Sequence, residues 1–117
     1  MPSSRRLLGS DGEDRVAELY ESRGYEIVAR NWRVSCGELD LVARRGRELV
    51  FCEVKTRSSD RFGSPSEAVT PAKQRRIRRL AAAYLAGSAN GSPTTGVVRF
   101  DVACVSGGVI EVIEQAF

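Results

Sequence analysis

The chain has 117 residues, 42% hydrophobic and 28% charged, with a formal net charge of +3. That is enough for one domain with its own core and too little for two, and the balance is that of a globular rather than a disordered chain. There is no histidine, and Cys36, Cys52 and Cys104 contain no C-x-x-C pair, which argues against a zinc centre. The positive excess is compatible with a polyanionic partner without requiring one.

Cys52 and Cys104 lie in apolar runs, where a reduced cysteine behaves as a small hydrophobe, so a reducing cytoplasm is expected. No stretch is apolar enough to span a membrane, and Leu7-Leu8 after Arg5-Arg6 is too short for a secretion signal.

Residues 1–9 read as a flexible arm and 10–117 as a single domain. Ser10-Asp11-Gly12-Glu13 has the spacing of a helix capping box, and Val16, Ala17 and Tyr20 recur at helical intervals until Gly24. Three strands follow by pattern, Tyr25 to Arg33, Glu38 to Arg44 and Glu48 to Thr56. Arg45-Gly46 is the expected turn of the hairpin between the last two. Residues 57–69 turn polar, with Gly and Pro, and read as a surface loop. Thr70-Pro71 is a helix start, with Ile77, Leu80, Ala81, Tyr84 and Leu85 as the apolar stripe behind it. A Ser/Gly/Thr-rich connection leads to two final strands, Val97 to Val105 and Val109 to Ile113. The order of elements predicts an α/β fold with a mixed sheet flanked by helices.

Acids and a lysine interrupt two of these apolar strands. Side chains alternate along a strand, so Glu53 and Lys55 point the same way, together with Leu49 and Phe51. With Arg45-Gly46 as the loop, Asp40 falls opposite Phe51 and Glu38 opposite Glu53. Asp40 then lies diagonal to Glu53, with Cα atoms about 7–8 Å apart. Burying such charges without partners is costly, and one divalent ion would satisfy both acids. Magnesium takes hard oxygen ligands at about 2.1 Å, and Asp40, Glu53 and the Val54 carbonyl suit it. Lys55 cannot ligate while protonated, but it can hold an attacking water or offset charge on a phosphoryl transition state. The plainer reading is a salt bridge on a solvated sheet face.

Glu13 falls on the Val16, Ala17 and Tyr20 side of its helix, where it either joins the metal shell or completes the capping box. Gln74 lies on the inward stripe of the later helix, either bonding a water or phosphate near the site or facing solvent at the helix start. Lys73-Gln74-Arg75-Arg76-Ile77-Arg78-Arg79 carries five cations in seven residues. Such a stripe suits a phosphate backbone and is otherwise a solvated helix face. Arg57 and Arg61 would extend Lys73, Arg75, Arg76 and Arg79 as a nucleic-acid-binding track.

Taken together, Gly12-Glu13, Arg30-Asn31-Trp32-Arg33, Gly37-Glu38-Leu39-Asp40-Leu41, Val50-Phe51-Cys52-Glu53-Val54-Lys55-Thr56-Arg57, Phe62-Gly63-Ser64-Pro65, Glu67-Ala68-Val69, Lys73 and Arg99-Phe100-Asp101-Val102 carry a resemblance over nearly the whole chain. The sequence resembles the YraN-type family of small bacterial proteins, which belongs by prediction to the PD-(D/E)xK nuclease superfamily and is similar to archaeal Holliday-junction resolvases. The resemblance implies a restriction-endonuclease-like mixed five-stranded β-sheet flanked by helices and Mg²⁺-dependent hydrolysis of DNA phosphodiesters, with Mn²⁺ as a substitute. It makes Asp40 and Glu53 the metal-binding acids, Lys55 the catalytic lysine and Glu13 the helix-borne acid, and it matches Gln74 to a polar residue on a later helix of some relatives. Relatives often work as homodimers because two scissile strands need two sites, which leaves a homodimer open here. The expected function is an endonuclease acting on DNA, with branched DNA among its substrates. The alternatives are a non-catalytic nucleic-acid-binding module on the same fold and an adaptor for a protein partner.

Overall fold

The computed structural model describes residues 4–57, 69–87 and 96–117, the side chains of 4–10 and 57 excepted. The first helix, α1 (Ser4–Ser22), begins earlier than the capping-box spacing predicts. Ser10 therefore lies inside the helix and not at its N-cap position. Gly9 and Gly12 each cost a helix interior only about 1 kcal/mol relative to alanine, too little to hold back a start upstream. The helix stops where Gly24 takes φ 90° and the Tyr25 amide donates to the Tyr20 carbonyl at 3.0 Å.

Strands β1 (Glu26–Val34), β2 (Gly37–Arg45) and β3 (Glu48–Arg57) follow as an antiparallel meander. Helix α2 (Pro71–Ala86) then crosses to β4 (Val97–Ser106), which pairs parallel to β3, and β5 (Val109–Ile113) closes the sheet antiparallel to β4. The strand order is β1-β2-β3-β4-β5. The expected mixed five-stranded α/β architecture is the one observed, and it accords with a restriction-endonuclease-like fold. Thr70 caps α2 as the sequence predicts, its hydroxyl accepting from the Lys73 amide at 3.2 Å with Pro71 in the first turn. Among the described residues, no helix is long and apolar enough to cross a membrane.

The helices cover opposite faces of the sheet, which explains why the central strands read as almost unbroken apolar sequence. On one face Val16, Ala17 and Tyr20 of α1 pack on Leu41, Ala43, Val50, Cys52, Ala103 and Val105. On the other, Ile77, Leu80, Ala81 and Tyr84 of α2 pack on Val42, Leu49, Phe51, Phe100 and Val102. Gly12 sets the closeness of the first contact, because a Cβ there would lie 2.5 Å from the Thr56 Oγ1. Gly12→Ala is expected to destabilise the protein by about 1–3 kcal/mol, the usual range for overpacking. Adding Thr56→Ala, which removes the clashing hydroxyl, is expected to restore most of that loss in urea melts.

The β2–β3 register differs from expectation. Arg45 pairs with Glu48 and Val42 with Phe51, so Gly46-Arg47 form the turn instead of Arg45-Gly46. Gly46 adopts φ 61°, which a glycine at the first turn position takes without strain. The ladder is displaced by two residues, not one, so no side chain changes face.

Candidate metal centre

The last β2–β3 pair is Leu41 with Cys52, and beyond it the strands separate. Continuing the observed register would set Asp40 directly across from Glu53, closer than the diagonal placement expected from sequence. β2 turns over at this point: Leu41 and Ala43 belong to the α1-side core, whereas Leu39, two residues earlier, packs with the α2 side. Its neighbour β1 is distorted at the same level. Asn31, between the Arg30–Leu41 and Trp32–Leu39 pairs, has φ 52°, a left-handed conformation that asparagine tolerates better than most residues.

The separation leaves the Val54 amide without a strand partner on the β2 side. Asp40 supplies one, its Oδ2 accepting from Val54 N–H at 2.9 Å. In extended backbone the carbonyl of a residue projects to the same edge as its amide, so the Val54 carbonyl faces this gap too. Asp40 and Glu53 lie close enough for each to shift the other's ionisation.

The electrostatics follow from that proximity. Burial raises Asp40 above the usual carboxylate range, with the charge of Glu38 adding to the effect; the Val54 amide, Glu53 and Lys55 oppose it. Glu53 is pushed up to about 7, first by burial and then by the charge of Asp40, against the pull of Lys73 and Lys55. Two carboxylates this close hold a proton more readily than either would alone when no cation lies between them. Glu13, reaching in from α1, is also raised, by burial and then by the Asp40 charge. Its Oε1 is buried without a hydrogen-bond partner, and the nearest cation, Arg30, stands 3.8 Å away, having turned to Asp14 at 2.6 Å.

A hard divalent cation fits this donor set. The candidate ligands are all oxygens, two of the carboxylates shift each other's ionisation, and a third has a buried oxygen without a hydrogen-bond partner. Among the described residues no three acidic, histidine or cysteine side chains converge into a ready-made cage. Magnesium and manganese sites of the phosphoryl-transfer kind need only one or two carboxylates, with water and phosphate oxygens completing the shell.

The profile of the uncharacterised protein family UPF0102 matches residues 12–105. The chain belongs to UPF0102. A UPF0102 protein of Symbiobacterium thermophilum is 50% identical over 103 residues, covering 88% of this chain and 85% of its own. One of Frankia casuarinae is 54% identical with the same coverages, and one of Acidothermus cellulolyticus is 44% identical across 98% of this chain and 96% of its own. The UPF0102 match runs from Gly12 in α1 to Val105 in β4, and so contains every residue of the carboxylate cluster.

Within this UPF0102 fold Glu53, Val54 and Lys55 follow one another on β3, Asp40 accepts from the Val54 amide, and Glu13 on α1 is near enough to feel the Asp40 charge. The capping-box alternative for Glu13 is excluded, because Ser10 is not at the helix N-cap. Gln74 is half-buried nearby, but its amide donates to the Val69 carbonyl at 3.1 Å, which ties down the chain entering α2. Arg75, Arg76, Arg78 and Arg79 are all exposed along α2, and Arg78 also lies over the rings of Phe100 and Phe117. Arg61 and the side chain of Arg57 fall outside the described residues. Glu38, which the alternation of β2 sets on the Asp40 face, adds its charge beside Asp40, whereas the nearness of Lys73 to Glu53 is not legible in the sequence.

Sequence reasoning missed a second polar cluster, buried under the other end of α1. Asp101, fully buried, accepts from Tyr20 Oη at 2.6 Å, from Arg99 Nε and Nη2 at 2.9 and 3.0 Å, and from the Gln115 amide at 3.1 Å. Arg99 also reaches Glu48 at 2.7 Å, and Glu48 accepts from Tyr25 at 2.8 Å. A signal was present: Arg99-x-Asp101 in an apolar strand puts opposite charges on one face, as Glu53-x-Lys55 does. Every Asp101 lone pair is occupied, so this cluster is a fastening, unlike the Glu13 end.

Proposed function

We propose that the protein is a Mg²⁺-dependent endonuclease, with Mn²⁺ as a substitute, that hydrolyses DNA phosphodiesters, branched DNA included. The observation that supports it most is the Asp40–Glu53 pair, with the unsatisfied Glu13 oxygen behind it and Lys55 beside it, at the carboxyl end of β3. Ligand sites of α/β sheets collect at that end of parallel strands. Asp40, Glu53 and the Val54 carbonyl would hold the ion, with Glu13 in reach of its shell. When bound, the ion would neutralise phosphate oxygens and acidify a water. Lys55 carries a proton and a positive charge to where negative charge develops on the phosphoryl oxygens. Arg75, Arg76 and Arg79 would seat the backbone, with Arg57, Arg61 and Lys73 as the rest of that track. A homodimer would offer one such centre to each of two strands.

Incubation of the purified protein with labelled junction, flap, duplex and single-stranded DNA in Mg²⁺ or Mn²⁺ is expected to give products that EDTA abolishes. Absence of products on all four substrates in both metals would sink the enzymatic reading. The exposed arginines of α2 favour one alternative, a nucleic-acid-binding module without chemistry. In either case Arg75→Ala with Arg79→Ala is expected to weaken DNA binding and to lower the slope of log K against log salt by about 2, one per lost phosphate contact.

A further inference from the structure

Arg30 opens the Arg30-Asn31-Trp32-Arg33 run, to which the nuclease reading gives no task. It stands opposite Leu41 in the β1–β2 ladder, and so shares the face of the sheet that α1 covers. There it meets two consecutive acids of α1 and treats them differently. Its Nη2 lies 2.6 Å from Asp14 Oδ1, a short charge-assisted hydrogen bond, and 3.8 Å from Glu13 Oε1, beyond hydrogen-bonding reach. The oxygen it passes over is the buried one. Glu13 Oε1 has no hydrogen-bond partner, and the Glu13 side chain is 19% exposed against 37% for Asp14.

The standoff has a cause in the helix. A buried carboxylate oxygen without a donor is costly, and a guanidinium carries five N–H donors, enough to serve two acids. Closing on Glu13 would take a shift of about 1 Å, since arginine–carboxylate bonds settle at about 2.7–2.9 Å. Glu13 and Asp14 are successive residues, so their side chains leave α1 about 100° apart. A guanidinium drawn in to Asp14 is thereby held off Glu13. The Arg30 side chain is itself 35% exposed, so its remaining donors reach water and lose little by the arrangement. The loss falls on Glu13.

We propose that Asp14 is a positioning residue, which tethers Arg30 away from Glu13 Oε1 and so keeps that oxygen free for the divalent ion. The inference rests on the metal reading for the purpose of the tether, while the tether itself is a property of three side chains and can be tested with no metal present. Asp14 also offsets the Arg30 charge from outside the ligand set, so that the guanidinium does not repel an incoming cation. Without Asp14, Arg30 would close on Glu13, occupy an oxygen of the ion's shell and bring an uncompensated positive charge toward the ion.

Urea melts in EDTA test the tether. Glu13→Gln is expected to lower the midpoint in an Asp14→Ala background, where Glu13 has become the partner of Arg30, and not in the wild type, where Glu13 has no donor to lose. An effect no larger in the Asp14→Ala background overturns the tether whether or not the protein binds metal. Calorimetric titration with Mn²⁺, without DNA, tests its purpose. Asp14→Ala is expected to weaken Mn²⁺ binding by about 10-fold, the scale for losing a residue that orients a ligand. Adding Arg30→Ala should recover most of that loss. Adding Arg15→Ala instead restores the same net charge from an exposed neighbour that pairs with Asp11, and should recover none of it. Equal recovery by the two arginine substitutions would reduce Asp14 to a surface charge, and an unchanged affinity in Asp14→Ala would mean that the freed oxygen serves no ion; either result overturns the proposal. A wild type that binds no Mn²⁺ would overturn the purpose of the tether together with the metal centre, while the melts still decide the tether itself.

Discussion

Replacing Asp40 with asparagine is expected to reduce metal-dependent cleavage by at least about 100-fold, the scale seen when a group that manages developing charge is removed, and to make the metal-free protein more stable at neutral pH. The second half follows from linkage. The Glu53 carboxyl sits at about 7 in the folded protein, against an ordinary value of 4.5. A carboxyl raised by folding contributes stability that is fully present below its unfolded value and lost as the pH rises through its folded value. Metal-free wild type should therefore lose stability between about pH 4.5 and 7, by at most about 3 kcal/mol for Glu53, since a pair of interacting carboxyls realises only part of the shift. Asp40→Asn removes the neighbouring charge that helps raise Glu53, and its amide oxygen can still accept from the Val54 amide. Urea melts at pH 5 and pH 7 should show the wild-type difference shrinking in the variant. Magnesium at about 100 times its Kd should stabilise wild type by about 2.7 kcal/mol and the variant by far less. Equal stabilisation of both proteins by magnesium would remove Asp40 from the ion's shell.

Asp101→Ala is expected to cost about 3–5 kcal/mol, the range for stripping one partner from a buried ion pair. Total stabilities of single domains are only about 5–15 kcal/mol, and the Tm should fall by roughly 10–20 °C. The substitution strands the Arg99 guanidinium, 8% exposed, and releases the Tyr20 hydroxyl and the Gln115 amide at once. The cost belongs to the orphaned charge and not to the worth of the pair. A triple variant with Tyr20→Phe, Arg99→Met and Asp101→Leu should therefore recover most of the loss, as apolar replacements of buried ion pairs often do. A triple variant as unstable as Asp101→Ala would mean that the network carries net stability of its own. Scanning calorimetry on the three proteins separates these outcomes.

The alternation of β3 placed Glu53 and Lys55 on one face because a strand has a period of two and no other rule intervenes. Thr70-Pro71 predicted the start of α2 because cap and first turn are local chemistry. The start of α1 was misjudged, since a capping box is only one of the places where a helix can begin and nothing upstream of it breaks the helix. The hairpin turn was misplaced by one position, and the pairing consequently moved by two, because Arg45-Gly46 and Gly46-Arg47 are equally plausible two-residue loops until packing chooses between them. Asp40 and Glu53 survived that error because an even displacement preserves faces.

What could not be read was anything that depends on strands parting. The turnover of β2 between Leu41 and Leu39, the left-handed Asn31 and the Asp40 bond to the Val54 amide arise from three-dimensional curvature, and no periodicity reports it. The nearness of Lys73 to Glu53 is likewise a product of the crossover. Helix α2 must return antiparallel to β3, and so its first turn comes back to the end of the strand that precedes it.

The two ends of β3 are held very differently. Glu48, at the turn, is gripped by Arg99, Tyr25 and Arg45, while Glu53 lies past the last rung shared with β2. Past that rung β3 keeps its ladder with β4 through Arg57–Ser106, and on the β2 side its backbone is tied by the Asp40 bond to the Val54 amide. Any adjustment of β3 to an incoming ion would therefore act first on the Asp40 bond to the Val54 amide, and not on the Glu48 end, where three side chains converge.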